Sequence, residues 1–452
     1  MRFFTVLGFL ALLFCKPALS QNIHPAAPME KPSGIQAGHR DDEEGFPHLL
    51  FSKEQVTAVA SSGSPNIVAA REALDQRVRS RLGALQEDLN VYKGCKIDEY
   101  TKALTYEHGS ASRDVADFAM YSAIFSGPQA DSARQAAANI LTKWASSADY
   151  LLAASKNGFA GFCDSANQPS QDARFAVGLT FGRGVPDLVV GYEMLRMQNA
   201  LTHVQIQQID HFMDALYTIE LSAMRYRADN SNLDCNRFSN HVSVQLAALT
   251  FLAAVENNHL SLEDIANGSG GKIAIPLSTQ VSKAIYLGAN APLKCFSNQD
   301  NPELYQQISE VNDGEIVDRF RAKPYQTFGY PTFSLEHLLL SALVLKREGI
   351  NPTAAEKARL VAALHYYGEL LSQSQAGRGL SAKFRQYQGK NVFGPHTADG
   401  SDFALNPFII GSVLFPDDGE TSSLIRSYLT RNGGLSLSPS IYLPLLAGFR
   451  ND

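Results

Sequence analysis

The amino-acid sequence predicts an all-α protein whose helix hairpins form an (α/α) toroid, an incomplete barrel. Apolar residues recur at helical spacing through most of the chain, and strand-like alternation is confined to short pieces such as Lys272–Pro276. Glycine and proline in short loops separate the helices, as in Gly349-Ile350-Asn351-Pro352. Helix pairs joined in this way bury their apolar faces against each other and gather loops at one end, where a cleft can form.

The predicted helices follow one another along the chain. The apolar spacing predicts helices over Ile67–Leu89, Val115–Phe125, Ala130–Ser146, Val185–Met197, Val204–Tyr226, His241–Val255, Phe333–Leu345 and Ala354–Leu371. The helix over His241–Val255 is the clearest, because apolar residues such as Val242, Leu246 and Leu249 recur along one face. No exact repeat is visible, which disfavours a solenoid of regular repeats.

The N-terminus predicts a signal peptide over residues 1–20. Arg2 precedes an apolar run, Phe3–Phe14, that is too short to span a bilayer, and Ala18-Leu19-Ser20 has the small residues of a cleavage site. We therefore expect an extracellular protein, or a periplasmic one in a bacterium. A lipid anchor on Cys15 is disfavoured, because a bulky phenylalanine precedes that cysteine.

The mature chain is expected to hold one large domain. Residues 21–45 are polar, with prolines and an acidic run, and are typical of a flexible leader. No low-complexity linker divides the remainder, so we expect a single catalytic domain over residues 46–452 and a monomeric protein. The net charge of −6 disfavours nucleic acid and membranes as partners, although a local basic groove can still bind an acidic polymer.

Four cysteines follow the leader: Cys95, Cys163, Cys235 and Cys295. An even number in a secreted chain favours two disulfides, and four cysteines allow three pairings. We expect a Cys95–Cys163 bridge, with Cys235–Cys295 as the second, and buried free thiols are the alternative. The spacings do not match a zinc site, so we expect no metal and no other cofactor.

Four segments place polar or charged residues where the apolar pattern should continue. They are Tyr106-Glu107-His108-Gly109-Ser110-Ala111-Ser112-Arg113, Phe181-Gly182-Arg183-Gly184, Asn236-Arg237-Phe238-Ser239-Asn240-His241, and Asp313-Gly314 with the basic stretch that leads to Tyr330. These segments contain the candidate functional residues.

The order of these motifs resembles that of the alginate lyase family, whose fold is an incomplete (α/α) toroid. Ser239-Asn240-His241 is similar to the family's Asn-Asn-His, which opens an apolar helix, although a serine replaces the first asparagine. Asp313-Gly314 is similar to the family's Asp-Gly, and Tyr330-Pro331-Thr332-Phe333 to its tyrosine at the start of a second apolar helix, with Pro331 as a departure. The run that begins at Tyr106 looks like the family's Tyr-Glu-Gly-Ser-Asp.

The resemblance implies a lyase that cleaves alginate, or a related polyuronate such as glucuronan, by β-elimination. Tyr330 would act as base and then as acid, while Asn240, His241 and an arginine would stabilise negative charge on the uronate carboxylate. The stretch before Tyr330 is slightly longer than in the family, so that arginine is either Arg319 or Arg321. The residues expected to bind the anionic polysaccharide are Lys323, Arg183, Tyr325 and His108.

Each candidate residue also has a structural interpretation. Asn240 can cap the helix that begins near it, and His241 can satisfy a backbone carbonyl. Tyr330 can be a core aromatic, the basic stretch before it a solvated face, and Arg183 a loop residue. The joint order of the motifs along the chain favours the functional interpretation, because capping and packing do not predict that order.

Two other functions remain open. A glycoside hydrolase would need two carboxylates across a cleft, and Glu107, Asp318 and Glu336 are available. A non-catalytic polysaccharide-binding protein would use aromatic platforms. The single Trp144 argues against this function, although the seventeen tyrosines could serve.

Overall fold

A computed structural model describes residues 49–83, 111–163, 168–231, 233–288, 312–318, 329–375, 405–432 and 445. These residues are mostly helical, and the β-type pairings among them are two isolated bridges, Cys163–Pro169 and Ile285–Ile316. The all-α class is therefore confirmed for this part of the chain. All of these residues belong to one compact unit, Asp42–Asp452.

Fifteen helices lie within the described ranges. In chain order they are α1 (Lys53–Ser61), α2 (Pro65–Arg81), α3 (Ala111–Ile124), α4 (Pro128–Ala145), α5 (Ala148–Lys156), α6 (Arg174–Met197), α7 (His203–Asn230), α8 (Asp234–Arg237), α9 (Asn240–Val255), α10 (His259–Asn267), α11 (Leu277–Ala284), α12 (Gly329–Arg347), α13 (Ala354–Gln375), α14 (Asn406–Leu414) and α15 (Gly419–Asn432).

Five of these helices form a row in chain order, which we call the inner row. α3 packs against α6, α6 against α9, α9 against α12, and α12 against α14. Each inner helix also packs against the helix that follows it in the chain: α4, α7, α10, α13 and α15 respectively. Each inner helix therefore forms a packed pair with the next helix in the chain.

The inner row forms the core of the unit. In α9 every residue except His241 is buried, and in α14 every residue except Ser412 is buried. A helix that is apolar on all sides is typical of an element surrounded by protein. The segment Asp234–Val255 is long and apolar enough to cross a membrane, but 94% of its most apolar stretch of 18 residues is buried inside the protein, as expected of a core helix.

α3 and α6 run parallel and approach closely. A Cβ atom on Gly184 would lie 3.0 Å from Oγ of Ser112, and one on Gly191 would lie 2.5 Å from Cγ1 of Val115. Higher residue numbers on one helix therefore face higher numbers on the other. The glycines of α6 allow this approach, because a larger residue at position 191 would overlap α3.

α12 and α14 also run parallel. The side-chain amide of Asn406 donates to Oε1 of Glu336 over 2.9 Å, and Nζ of Lys346 donates to the carbonyl of Leu414 over 2.8 Å. The first bond joins the start of α14 to the N-terminal half of α12, and the second joins the C-terminal ends of the two helices. The N-terminal halves of α12 and α14 therefore lie side by side.

The N-terminal halves of the three central inner helices also adjoin. The rings of Phe175 in α6 and His241 in α9 have centroids 4.9 Å apart. The hydroxyls of Ser243 in α9 and Ser334 in α12 lie 2.8 Å apart. The N-terminal halves of α6, α9 and α12 thus gather on one side of the row, where the positive ends of their helix dipoles lie.

The structure corrects the expected start of α6. The sequence predicted a helix from Val185, with Arg183 in a loop before it, whereas α6 begins at Arg174 and contains Arg183. The glycines here serve close packing instead of a turn, since a Cβ atom on Gly178 would lie 2.3 Å from Cβ of Ala223 in α7. Arg183 is therefore held on a buried helix of the inner row.

The prediction of strand-like structure over Lys272–Pro276 is wrong, because these residues pair with no strand among the described residues. The carboxylate of Asp264 accepts the backbone N–H groups of Gly270, Lys272 and Ile273 over 2.8 to 3.1 Å. A side chain thus satisfies the donors that a partner strand would satisfy in a sheet. The apolar alternation reflects burial of isoleucine side chains along an irregular segment.

Several expectations fall partly or wholly outside the described residues. The helix predicted to reach Leu89 ends at Arg81, and residues 84–89 are not described. The signal peptide and the leader also lie outside. Cys163 and Cys235 are disulfide-bonded, whereas Cys95 and Cys295 are not among the described residues, so the pairing stays a prediction.

Candidate functional site

The first turn of α9 is held by a buried carboxylate. Ser239 is the N-cap residue, with φ −78° and ψ 171°, and Asn240 is the first helical residue. The backbone N–H of Asn240 donates to Oδ2 of Asp318, whose side chain is fully buried. A carboxylate at this place also interacts favourably with the helix dipole. The interpretation of Asn240 as the helix cap is therefore wrong, because Ser239 occupies that position.

Asp313 and Gly314 position the segment that carries Asp318. Gly314 has φ +86°, its N–H donates to the carbonyl of Tyr286 over 2.7 Å, and a Cβ atom on it would lie 2.2 Å from the carbonyl oxygen of Ala362. The carboxylate of Asp313 accepts the N–H of Gly288 over 2.6 Å. Only glycine fits this close approach with a left-handed backbone. The Asp-Gly pair thus has a structural role in the placement of α9.

His241 lies half-buried in the first turn of α9, against an aromatic ring from another helix. Its imidazole is tilted by 42° to the ring of Phe175 in the first turn of α6. The guanidinium carbon of Arg227, in the last turn of α7, lies 4.4 Å from the centroid of the same ring. Three helices therefore meet around Phe175, and His241 is the member of this group that the sequence predicted.

Tyr330 lies half-buried in the first turn of α12. The sequence predicted that this helix begins at Phe333, but the helix begins at Gly329 and so includes the tyrosine. Tyr330, Phe333 and His337 follow helical spacing along one side of α12. Because Ser334 of the same helix contacts α9 through Ser243, Tyr330 and His241 occupy the first turns of two adjoining helices.

Arg183 lies close to the α12 side chains. Its guanidinium carbon is 5.8 Å from the centroid of the Phe333 ring, at the limit of a cation–π contact. The Phe333 ring in turn meets the imidazole of His337 edge to face, with centroids 4.4 Å apart. The site thus contains two groups of the same kind, each with an arginine and a histidine on one phenylalanine.

His337 is a neutral histidine. Burial lowers its pKa to about 4, and the charge of Arg183 acts in the same direction, although a hydrogen bond to the Phe333 carbonyl raises it. That bond spans 2.8 Å, and since a carbonyl oxygen can only accept, Nδ1 carries the proton. The positive charge on this side of α12 therefore belongs to the arginine.

A buried carboxylic acid lies next to this histidine. Burial raises the pKa of Glu336 to about 8, and the negative charge of Asp187 raises this pKa further. The hydrogen bond from the Asn406 amide and the positive charge of Arg113 act in the opposite direction. These residues come from α12, α14, α6 and α3, so the cluster joins four of the five inner helices. Glu336 was expected only as a hydrolase carboxylate, and Asp187 and Asn406 were not recognised from sequence.

A second buried acid lies between α6, α7 and α9. Burial raises the pKa of Glu220 well above its usual range, while the backbone N–H of Gly182 acts in the opposite direction. The space for its carboxyl is left by two glycines, since Cβ atoms on Gly178 and Gly182 would lie 3.4 and 3.2 Å from Oε2 of Glu220. The sequence feature that could have identified this buried acid is the position of Glu220 on an otherwise apolar face of α7.

The structure brings four of the predicted site residues to the N-terminal side of the inner row. They are Arg183, Asn240, His241 and Tyr330. The remaining predicted residues lie outside the described ranges, namely Arg319, Arg321, Lys323, Tyr325 and His108. Among the residues that the structure describes, no group of histidine, cysteine, aspartate and glutamate could hold a metal ion.

The arrangement suits an anionic ligand. The positive ends of the α6, α9 and α12 dipoles, the guanidinium of Arg183, and the amide and imidazole of Asn240 and His241 all offer positive charge or hydrogen-bond donors. A tyrosine hydroxyl at the adjoining helix can accept or return a proton. The sequence matches no protein-family model and no curated protein.

Proposed function

We propose that the protein is a polysaccharide lyase that cleaves alginate or a related polyuronate, such as glucuronan, by β-elimination. One observation carries the proposal: the Asn240-His241 pair and Tyr330 occupy the first turns of two adjoining helices, α9 and α12. A lyase of the kind that the resemblance implied would need these residues around one uronate, and their placement on adjoining helices supports this. A pair of stacked helices without a shared function has no need to place these three residue types together.

We further propose that the inner row curves into an incomplete (α/α) toroid. Five hairpins in chain order, with the first helix of each in one row, support this arrangement. In a toroid the N-terminal ends of the inner helices face one open end, where a polysaccharide can enter. The gathered first turns of α6, α9 and α12 would then form the floor of a cleft.

The reaction follows from the residue types. A base removes the proton from C5 of the uronate, the C5 electron pair forms a C4=C5 double bond, and the C4–O glycosidic bond breaks. Tyr330 would take the C5 proton and return it to the departing oxygen. Asn240, His241 and either Arg319 or Arg321 would stabilise the extra negative charge on the carboxylate, in a site already favourable to anions.

The remaining expectations concern substrate binding and location. Arg183, on the inner face of α6, would bind a uronate carboxylate, and Lys323, Tyr325 and His108 would extend this contact along the chain. The polysaccharide is an extracellular polymer, which agrees with the signal peptide predicted over residues 1–20. The proposed chemistry uses protein side chains alone and requires no cofactor.

A panel of polymers tests the proposal. The protein is incubated with polymannuronate, polyguluronate and polyglucuronate, and ultraviolet absorbance of the unsaturated product is followed. We expect absorbance to grow with at least one polymer. His241→Ala and Asn240→Ala should each lower kcat by about 10²-fold or more, the usual loss when a donor to developing charge is removed. No increase in absorbance with any of the three polymers would contradict the proposal.

A glycoside hydrolase is the second candidate, and one observation favours it. Glu336 is a buried acid with a raised pKa, and the charge of Asp187 reaches it from α6. Two carboxyl groups with different proton affinities are the requirement for that chemistry. A hydrolase would release reducing ends without ultraviolet absorbance, and a non-catalytic polysaccharide-binding protein would produce neither signal.

A further inference from the structure

Phe175 contacts a histidine of the proposed site, His241. It also contacts an arginine, Arg227, that binds the segment leading into the helix of that histidine. The His241 ring centroid is 4.9 Å from the Phe175 centroid, and the guanidinium carbon of Arg227 is 4.4 Å from it. Nε of Arg227 also donates to the backbone carbonyl of Asn236 over 2.8 Å. Arg227 thus holds the ring beside His241 and the short segment that leads into α9.

We propose that Phe175 and Arg227 are positioning residues for His241. The role rests on the proposed lyase function, because it concerns how the imidazole is directed at the uronate carboxylate. Neither residue belongs to a motif on which the resemblance to alginate lyases was based. Both are half-buried at the same side of the inner row as His241, in the first turn of α6 and the last turn of α7.

The need for positioning follows from where His241 lies. It is the single residue of α9 that is not buried, so packing inside the helix core does not fix its side chain. A donor stabilises developing charge only when it is directed at the atom that gains the charge. A misplacement of about 1 Å can cost about 10²-fold in rate. The Phe175 ring supplies a rigid face for the imidazole, and Arg227 fixes the ring.

The neighbouring Arg174 offers a matched control. It precedes Phe175 in α6, and its guanidinium carbon lies 5.1 Å from the centroid of the Tyr226 ring, while its side chain pairs with Asp172. Tyr226 itself precedes Arg227 in α7. Arg174 and Arg227 are therefore similarly buried, and each lies over one aromatic ring. They differ in that Arg227 lies over Phe175, which contacts His241, whereas Arg174 lies over Tyr226.

The kinetic test compares four variants on the polymer that the parent protein cleaves. Phe175→Leu and Arg227→Met should lower kcat by about 10-fold, with KM changed less than about twofold. Phe175→Tyr keeps an aromatic face and should retain most of the parent kcat. Arg174→Met should lower thermal stability about as much as Arg227→Met and leave kcat close to that of the parent. Equal kcat for Arg174→Met and Arg227→Met would overturn the proposal.

A second measurement does not depend on activity. The imidazole proton signals of His241, identified by their loss in His241→Ala, are recorded by NMR for the folded protein. The ring current of Phe175 shifts these signals, so Phe175→Leu and Arg227→Met should move them while Arg174→Met leaves them in place. Unchanged signals in Phe175→Leu and Arg227→Met would contradict the positioning role. An inactive parent protein would contradict the proposed function, and these spectra would still decide the placement of the imidazole.

Discussion

The carboxylate of Asp318 accepts the backbone N–H of Asn240, and this contact joins the segment after Asp313-Gly314 to the first turn of α9. The two residues are far apart in sequence and both are buried. The Asp-Gly motif and the Asn-His motif are therefore parts of one structural unit. The segment after the first motif thus holds the helix that presents the second.

Loss of the Asp318 carboxylate should weaken both the fold and the site. Asp318→Ala leaves the start of α9 without its acceptor, and we expect a loss of about 2 kcal/mol in the free energy of unfolding, since the bond involves a charged group. Turnover should fall as well, because His241 follows Asn240 directly. Chemical denaturation beside kinetics measures both. Asp313→Ala, which removes a more exposed carboxylate from the same segment, should cost less, and equal losses would argue against this role for Asp318.

Gly314→Ala should be among the more damaging single-methyl additions in the described part of the chain. The new Cβ would lie 2.2 Å from a backbone oxygen of α13, at a φ of +86°. We expect a loss of more than about 2 kcal/mol in the free energy of unfolding. Gly349→Ala is the control, because Gly349 has the same φ but no atom near its Cβ position, so its cost should be backbone strain of about 1 kcal/mol. Equal costs for the two would show that α13 yields to the new methyl group.

Stability should depend on pH through Glu336. Burial raises its pKa from 4.5 to about 8, so between these values the unfolded chain releases a proton that the folded protein keeps. Stability therefore declines as pH rises from about 5 to about 8. Glu336→Gln removes this proton and keeps a partner for Asn406, so its stability relative to the parent should increase over the same range.

Denaturation midpoints at pH 5, 6.5 and 8 measure the difference between Glu336→Gln and the parent. Glu72→Gln, which changes an exposed glutamate of α2, should show no such trend. A difference for Glu336→Gln that stays constant with pH would mean that Glu336 is ionised in the folded protein.

Binding of a polyanion should depend on salt through a few cations. Neutralising Arg183, or any of Arg319, Arg321 and Lys323, should raise KM and flatten its dependence on ionic strength, because salt screens these contacts. KM measured at 0.05 and 0.5 M NaCl tests this for each variant. Lys156→Gln, an exposed lysine at the end of α5, is the control. If KM in the neutralised variants and in this control responded equally to salt, the basic stretch would be a solvated face.

Part of this architecture could be predicted from sequence. Long apolar periodicity gave the all-α class and most of the helices, including α9, because burial of a helix face leaves a regular pattern. The same reasoning failed at α6, where Gly182 and Gly184 suggested a loop. Glycines that admit a neighbouring helix look the same in sequence as glycines that form a turn.

The supporting contacts of the site could not be predicted. Phe175 and Arg227 are unremarkable in sequence, and their importance comes from a meeting with His241 that only the packing of α6, α7 and α9 creates. Asn240 was expected as a catalytic residue, with helix capping as the alternative, and the sequence cannot show that Ser239 takes the cap position. Contacts between residues distant in sequence leave no local pattern.

Tyr330→Phe tests the central claim most directly. The change removes one hydroxyl and leaves the ring to pack in the first turn of α12. The measurement pairs the thermal midpoint with ultraviolet-detected turnover on the polyuronate that the parent cleaves, and Tyr150→Phe, at an exposed tyrosine of α5, serves as the control. We predict that Tyr330→Phe keeps the thermal midpoint and polymer binding but abolishes turnover, while Tyr150→Phe keeps all three. Turnover at the parent rate in Tyr330→Phe would contradict the assignment of the base and would direct attention to Tyr325.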